Sequence, residues 1–255
     1  MGINSTKNSI VLDYYSKYIQ DKQKQNELNR KENNPNSYFS ASSAGSCRLK
    51  QFFQLSNAEK KEMDDRSGRL MRLGTIVHKD IEYALVKYTQ DIYKETGMIS
   101  LIEHFIQIPR LRVQGTLDVA FVHEENKYAE ITDVKTVHSY KWKKMFGRKN
   151  QRDFNPSVNY ELQIGTYALG LMEEFSFLNH DNIKMSLTWY KKETSDVRVS
   201  NIPSYWIEQA ENYWNKINKR IYEEDAIPNV GEEDTPVYDW ECNYCPYHEI
   251  TCEGA

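Results

Sequence analysis

The chain has 255 residues, 39% hydrophobic and 27% charged, with a formal net charge of −4. It is therefore long enough to bury the core of one large domain and is no general polycation. No apolar run approaches the roughly 20 residues of a membrane span, and the start, MGINSTKNSI, lacks the apolar core of a signal peptide. A cytoplasmic protein without a membrane partner is expected.

Residues 9–31 are predicted as a helix, with Ile10, Tyr14, Tyr18 and Ile19 at helical spacing, fading into the polar loop NRKENNPN. A second helix follows the Ser-rich SASSAGS and carries Cys47 near its start. A long helix is expected over 68–93, with an apolar stripe through Leu73, Ile76, Val77, Ile81, Ala84, Leu85 and Tyr88. Three strands come next, at 98–108, 112–123 and 127–136, punctuated by Pro109 and by the turn EEN at 124–126. The stretch 141–152 reads as helix or loop and 157–175 as a helix. A hairpin is expected from 182–192 and 195–202, then a helix over 203–224 and a cysteine-rich tail. This order predicts an α/β fold, a central mixed β-sheet flanked by helices.

The stretch AEITDVKT, residues 129–136, puts Asp133 and Lys135 two positions apart on a strand, so both side chains share one face. Alone, the pair reads as an ion pair. Glu130 falls on the opposite face by parity. Asp118 closes QGTLD on the preceding strand, and antiparallel pairing would bring it to the face of Asp133. His78, in GTIVHKDIE, lies on the long helix with Glu82 one turn later on the same side, a candidate outer partner. Two carboxylates and one imidazole form a hard, oxygen-rich set that suits Mg²⁺ or Mn²⁺. A lysine beside such an ion can stabilise a developing anion or help activate water. Metal-assisted hydrolysis of a phosphodiester needs these parts.

Two further features carry chemistry. The segment KWKKMFGRKNQR, residues 141–152, holds Lys141, Lys143, Lys144, Arg148, Lys149 and Arg152 with no acidic residue, a pattern suited to phosphate. Trp142 and Phe146, interleaved with them, offer stacking surfaces. Cys242, Cys245 and Cys252 lie in the last fourteen residues, whereas Cys47 lies almost 200 residues upstream. In a cytosolic chain this spacing points to metal or redox chemistry. Two readings stay open: a local zinc site from Cys242, Cys245, His248 and Cys252, or a site that also recruits Cys47.

Taken together, GTIVH, GTLD, EITDVKT and LQIGTY resemble the RecB-type branch of the PD-(D/E)XK nuclease superfamily. The resemblance implies a restriction-endonuclease-like core over residues 37–255, with 1–36 as an N-terminal helical extension. It implies His78, Asp118, Asp133 and the Val134 carbonyl as metal ligands and Lys135 as the catalytic lysine. Gln163 and Tyr167 match a Q-x-x-x-Y motif that orients the active site and contacts DNA. The cysteine frame is similar to the iron–sulfur subset of that branch, which includes the AddB nuclease domain and exonucleases of CRISPR adaptation. It implies a [4Fe–4S] cluster on Cys47, Cys242, Cys245 and Cys252 in a C-terminal subdomain, with His248 a bystander and zinc the alternative. The implied activity is exonucleolytic cleavage of DNA, single-stranded or with free ends. A helicase or a recombination or CRISPR-adaptation protein is the implied partner.

Overall fold

The computed structural model describes residues 9–34, 37–153, 157–224, 227 and 241–253. Its core is a mixed sheet of six strands: β1 (Phe39–Ser40), β2 (Ile99–Ile108), β3 (Val113–His123), β4 (Tyr128–Val137), β5 (Ile183–Lys191) and β6 (Val197–Ile202). Strands β1, β3, β4, β5 and β6 lie in that order, and β2 pairs with β3. The β2–β3, β3–β4 and β5–β6 ladders are antiparallel, whereas β4–β5 and β1–β3 are parallel. The expected mixed sheet is thus present, with one strand more than the pattern indicates. Two residues are too few for an alternation to be visible in the sequence.

The helices are α1 (Ile10–Glu32), α2 (Arg48–Leu55), α3 (Asp65–Thr96), α4 (Ser139–Phe146), α5 (Val158–Glu174) and α6 (Tyr205–Asn218). Helix α3 begins earlier than its apolar pattern suggests, because the Asp64 side chain accepts from the N–H groups of Arg66 and Ser67 and caps it. It stops at Gly97, whose φ of 73° is a left-handed conformation that glycine adopts without strain. The α-helical part of α6 ends at Asn218, and a π-turn covers Lys219–Glu223. Helix α5 is buried from Leu162 to Leu171 and is the central helix of the core. Gly165 lets α6 approach it, since a Cβ there would meet the Trp206 carbonyl oxygen. Trp189, Trp214, Ile164, Leu171 and Leu187 are fully buried around this contact, each gaining about 1.5–3 kcal/mol from transfer out of water.

Two apolar patterns are only half used. On α3, Val77, Ile81 and Leu85 are partly buried, but Leu73, Ile76, Ala84 and Tyr88 are exposed. On α1, Ile19 is buried at the crossing with Gly68, whereas Ile10, Tyr14 and Tyr18 are exposed. Helix α1 crosses α3 at Gly68, and Gln20 donates to Asp65 (3.0 Å). Among the described residues, no helix is long and apolar enough to cross a membrane.

Candidate active site and cysteine cavity

Strand β3 shares one edge between two partners. Val113 and Gln114 pair with β1, Val119 to His123 pair with β4, and residues 115–118 between them have no ladder partner there among the described residues. One register step beyond Val119↔Thr132, the strands part with Asp118 opposite Asp133. The Asp118 side chain fills the gap: its Oδ2 accepts the N–H of Val134 at 2.6 Å. Tertiary pairing thus brings the two predicted carboxylates together, and burial fixes them, Asp133 being 2% exposed and Asp118 9%.

Lys135 completes the face as strand parity requires. Its ammonium lies 2.6 Å from Asp133 Oδ2 and donates to Gln163 Oε1 at 2.8 Å. Gln163 Nε2 donates in turn to Asp133 Oδ1 (3.2 Å) and to the Tyr167 hydroxyl (3.0 Å). One amide on α5 therefore bridges the acid, the lysine and the tyrosine, which explains its spacing of one helical turn from Tyr167. The Lys135 ammonium also stands over the Tyr160 ring, 4.9 Å from its centroid. Glu130 points away and pairs at the surface with Lys184 (2.9 Å), as parity predicts.

Burial pushes Asp133 up to about 6, with Lys135 opposing and Asp118 adding to the shift. Burial pulls Lys135 down, but the Asp133 charge more than offsets it and leaves the lysine above its ordinary value. His78 comes from α3, its Nδ1 3.6 Å from Asp118 Oδ2. That carboxylate holds the imidazole above its usual pKa against the effect of burial. Burial raises Tyr167 as well.

A residue that the sequence did not single out joins this set. The β2–β3 ladder skips the step Glu103–Asp118, and Glu103 has φ 50°, a left-handed conformation costly for a residue with a Cβ. Its carboxyl stands near that of Glu82. Partial burial, then the like charge of Glu82, push it up to about 7. Glu82, His78 and Glu103 line one cavity of about 470 Å³. The only sequence signal for Glu103 is a charge in the middle of the apolar run ISLIEHFIQI.

The four cysteines, from the residue before α2 and from the tail, line a second, narrow cavity together with Glu241 and His248. None of the four is in a disulfide. The Cys47 N–H donates to Glu241 Oε1 at 3.2 Å, while Glu241 Oε2 is buried with no hydrogen-bond partner. Burial raises the Cys47 thiol, opposed by the N–H groups of Lys50 and Leu49 at the start of α2. The tail is a 3₁₀ turn at Cys242–Tyr244 and a bridge between His248 and Cys252. Among the described residues, no three His, Cys, Asp or Glu side chains stand at metal-holding spacing in either place.

The basic stretch differs from expectation. Trp142 is 8% exposed and belongs to the core, with Phe146 packed 4.8 Å from it and Arg198 over both rings, so neither aromatic is a free stacking surface. Their spacing on α4 follows the core-facing side of the helix. Lys144 pairs with Asp153 (2.9 Å), and Lys141 is half-buried beside Tyr160. Lys143, Arg148, Lys149 and Arg152 remain exposed.

Residues 79–252 match the sequence profile of the PD-(D/E)XK nuclease superfamily, and the chain belongs to that superfamily. Among curated proteins, none matches the chain significantly. Among solved structures it is similar to a protein of Eubacterium rectale whose name proposes an exonuclease: 14% identity, 88% of this chain and 92% of that one, TM-score 0.51. It is also similar to SSO0001, with 14% identity over 96% of both chains and a TM-score of 0.49. An alkaline exonuclease of Laribacter hongkongensis shares 10% identity over 74% of this chain and 89% of that one, with a TM-score of 0.36. At such identities the first of these likenesses speaks for the fold alone.

Proposed function

We propose that this member of the PD-(D/E)XK nuclease superfamily is a metal-dependent deoxyribonuclease acting on single strands or free DNA ends as an exonuclease. The observation that supports it best is the meeting of Asp118, Asp133, Lys135 and Gln163 where β3 and β4 part. His78, Asp118, Asp133 and the Val134 carbonyl are the proposed ligands of Mg²⁺ or Mn²⁺. The donor set suits a hard cation, and Asp133 Oδ2 is a buried oxygen with no aligned hydrogen bond, Lys135 facing it off-axis. Bound there, a divalent cation supplies polarisation of the phosphoryl group and a lowered pKa for water. Lys135 supplies a fixed positive charge where negative charge grows in the transition state. Gln163 holds that ammonium through its amide oxygen and the Asp133 carboxylate through its amide nitrogen, and the Tyr167 hydroxyl accepts from the same nitrogen. Residues 37–255 form the proposed nuclease domain and 1–36 its helical extension.

The second part of the reading is a [4Fe–4S] cluster on Cys47, Cys242, Cys245 and Cys252. Four cysteines lining one cavity, none of them in a disulfide, suit the soft ligands such a cluster takes. The rival zinc set of Cys242, Cys245, His248 and Cys252 would leave Cys47 unused, and the place of Cys47 on the same cavity favours the four-thiolate set. Lys141, Lys143, Lys144, Arg148, Lys149 and Arg152 are proposed to follow the phosphate backbone, the four exposed ones foremost, with salt-dependent affinity as the consequence. A cytoplasmic setting and a helicase, recombination or CRISPR-adaptation partner complete the proposal, and co-purification from the native host tests the partner.

The deciding experiment is cleavage of end-labelled single-stranded DNA in Mg²⁺ or Mn²⁺ by the protein purified without oxygen. Lys135→Ala is expected to lower the rate at least about 10²-fold. Equal activity in the variant, or an inert wild type, overturns the reading.

A further inference from the structure

The cavity of about 470 Å³ has parts that the chemistry above leaves unused. Its lining includes His78, whose Nδ1 lies 3.6 Å from Asp118 Oδ2, so the cavity adjoins the reacting groups through that imidazole, while Thr136 closes it from the opposite face of β4 to Lys135. Its floor is closed where α3 crosses β4: a Cβ on Gly74 would lie 3.0 Å from Thr136 Oγ1. Lys192, just past β5, forms another wall and donates to the Leu70 carbonyl at 3.4 Å. The mouth carries Leu70 and Met71, and Met71 is 62% exposed, an apolar surface that no part of the fold covers among the described residues.

These features have one chemistry in common. A flexible, polarisable thioether beside a leucine makes an apolar platform for a flat ring, and a nucleobase gains from stacking whatever its identity. Lys79 and Lys192 supply cations for a phosphate, whereas Glu82 and Glu103 in the same lining offer carboxyl oxygens to sugar hydroxyls or base amines. The volume of about 470 Å³ is at the small end of ligand pockets, in keeping with one nucleotide rather than a duplex. We propose that this cavity binds one unpaired nucleotide adjoining the scissile phosphate, its base on Leu70 and Met71 and its phosphate at Lys192. The proposal rests on the nuclease reading and gives it a cause for preferring single-stranded ends.

Binding of a short fluorescein-labelled single strand in Ca²⁺ tests this by fluorescence anisotropy. Met71→Ala and Lys192→Ala are each expected to raise Kd about five- to tenfold, the worth of one stacked base or one phosphate contact. Lys192→Ala should also lower the slope of log K against log salt by about 0.7. Tyr83→Ala, 71% exposed on α3 and outside the cavity, is expected to keep wild-type affinity. Thermal unfolding of each variant checks that it folds. An unchanged Kd in either cavity variant overturns the proposal. The nuclease reading fails separately, on a wild type that cuts nothing in Mg²⁺ or Mn²⁺ while the Ca²⁺ comparison still decides the cavity.

Discussion

The groups around Lys135 and the cysteines around the second cavity are both gathered from distant parts of the chain, but by different means. Asp118, Asp133, Lys135 and Gln163 stand on two sheet strands and the central core helix, and they bond to one another through buried atoms. Cys47 and the tail cysteines stand on short pieces. The tail is held to residues 53–61 by the Lys61 N–H on the Pro246 carbonyl (2.8 Å), by Thr251 Oγ1 on the Glu59 carbonyl (2.7 Å) and by Tyr247 against Phe53. The Lys61–Glu249 pair (2.7 Å) is exposed, and solvent screens it so that it holds the tail weakly. One site is therefore tied together by the protein's own buried hydrogen bonds, with no ion needed to join its elements. The other has the most to gain from one, because a bound metal and the folding of its ligand segments are coupled.

Removing one group from each site tests that difference. The largest effect is expected from Cys47→Ser. It should bleach the visible absorption of the anaerobic protein and open the tail, so that chymotrypsin cuts after Tyr247, which is 3% exposed in the folded chain. A colourless wild type holding zinc, with the variant holding it equally, would replace the four-cysteine set by Cys242, Cys245, His248 and Cys252. Gln163→Ala should act at the other site without releasing any segment. Leaving Asp133 and the Lys135 ammonium short of a partner is expected to cost about 1–3 kcal/mol, read as a lower urea midpoint. A midpoint equal to wild type would mean that the amide bridge is slack and the contrast between the sites smaller than their bonding implies.

The smallest effect concerns pH. Glu103 titrates at about 7 in the folded chain and near the ordinary carboxylate value when unfolded. The folded state thus binds its proton more tightly, and that stabilisation is complete below the unfolded pKa and lost as pH rises through about 7. Glu103→Gln keeps the neutral form, so the metal-free variant should match wild type in Tm at pH 4 and exceed it at pH 8. The gain should be modest, since the side chain is exposed and solvent screens it. A Tm difference that does not change with pH would dissociate Glu103 from Glu82.

Much of both sites is legible in the amino-acid sequence. Strand parity places Asp133 and Lys135 together and Glu130 apart, because a period of two is a property of the extended backbone itself. Helical spacing likewise puts Gln163 and Tyr167 within reach of each other. Apolar periodicity is a weaker guide. It marks a face that can be buried, yet on α1 and α3 much of that face stays exposed, while Trp142 and Phe146 go to the core rather than to solvent. Glu103 shows only as a charge inside an apolar run, because its role comes from one left-handed residue inside a strand, a conformation no local pattern encodes.

By itself, then, the sequence determined what depends on near neighbours: the order of helices and strands, the faces of β4 and α5, and the chemical types available as ligands. Tertiary structure decided what depends on distance. It parted β3 from β4 at Asp118, brought Cys47 to the tail, closed the cavity floor at Gly74 and Thr136, and left Met71 uncovered at its mouth. The reason is physical. Backbone geometry acts over a few residues, whereas ladder ends, crossings and cavities are set by segments tens to hundreds of positions apart packing against one another.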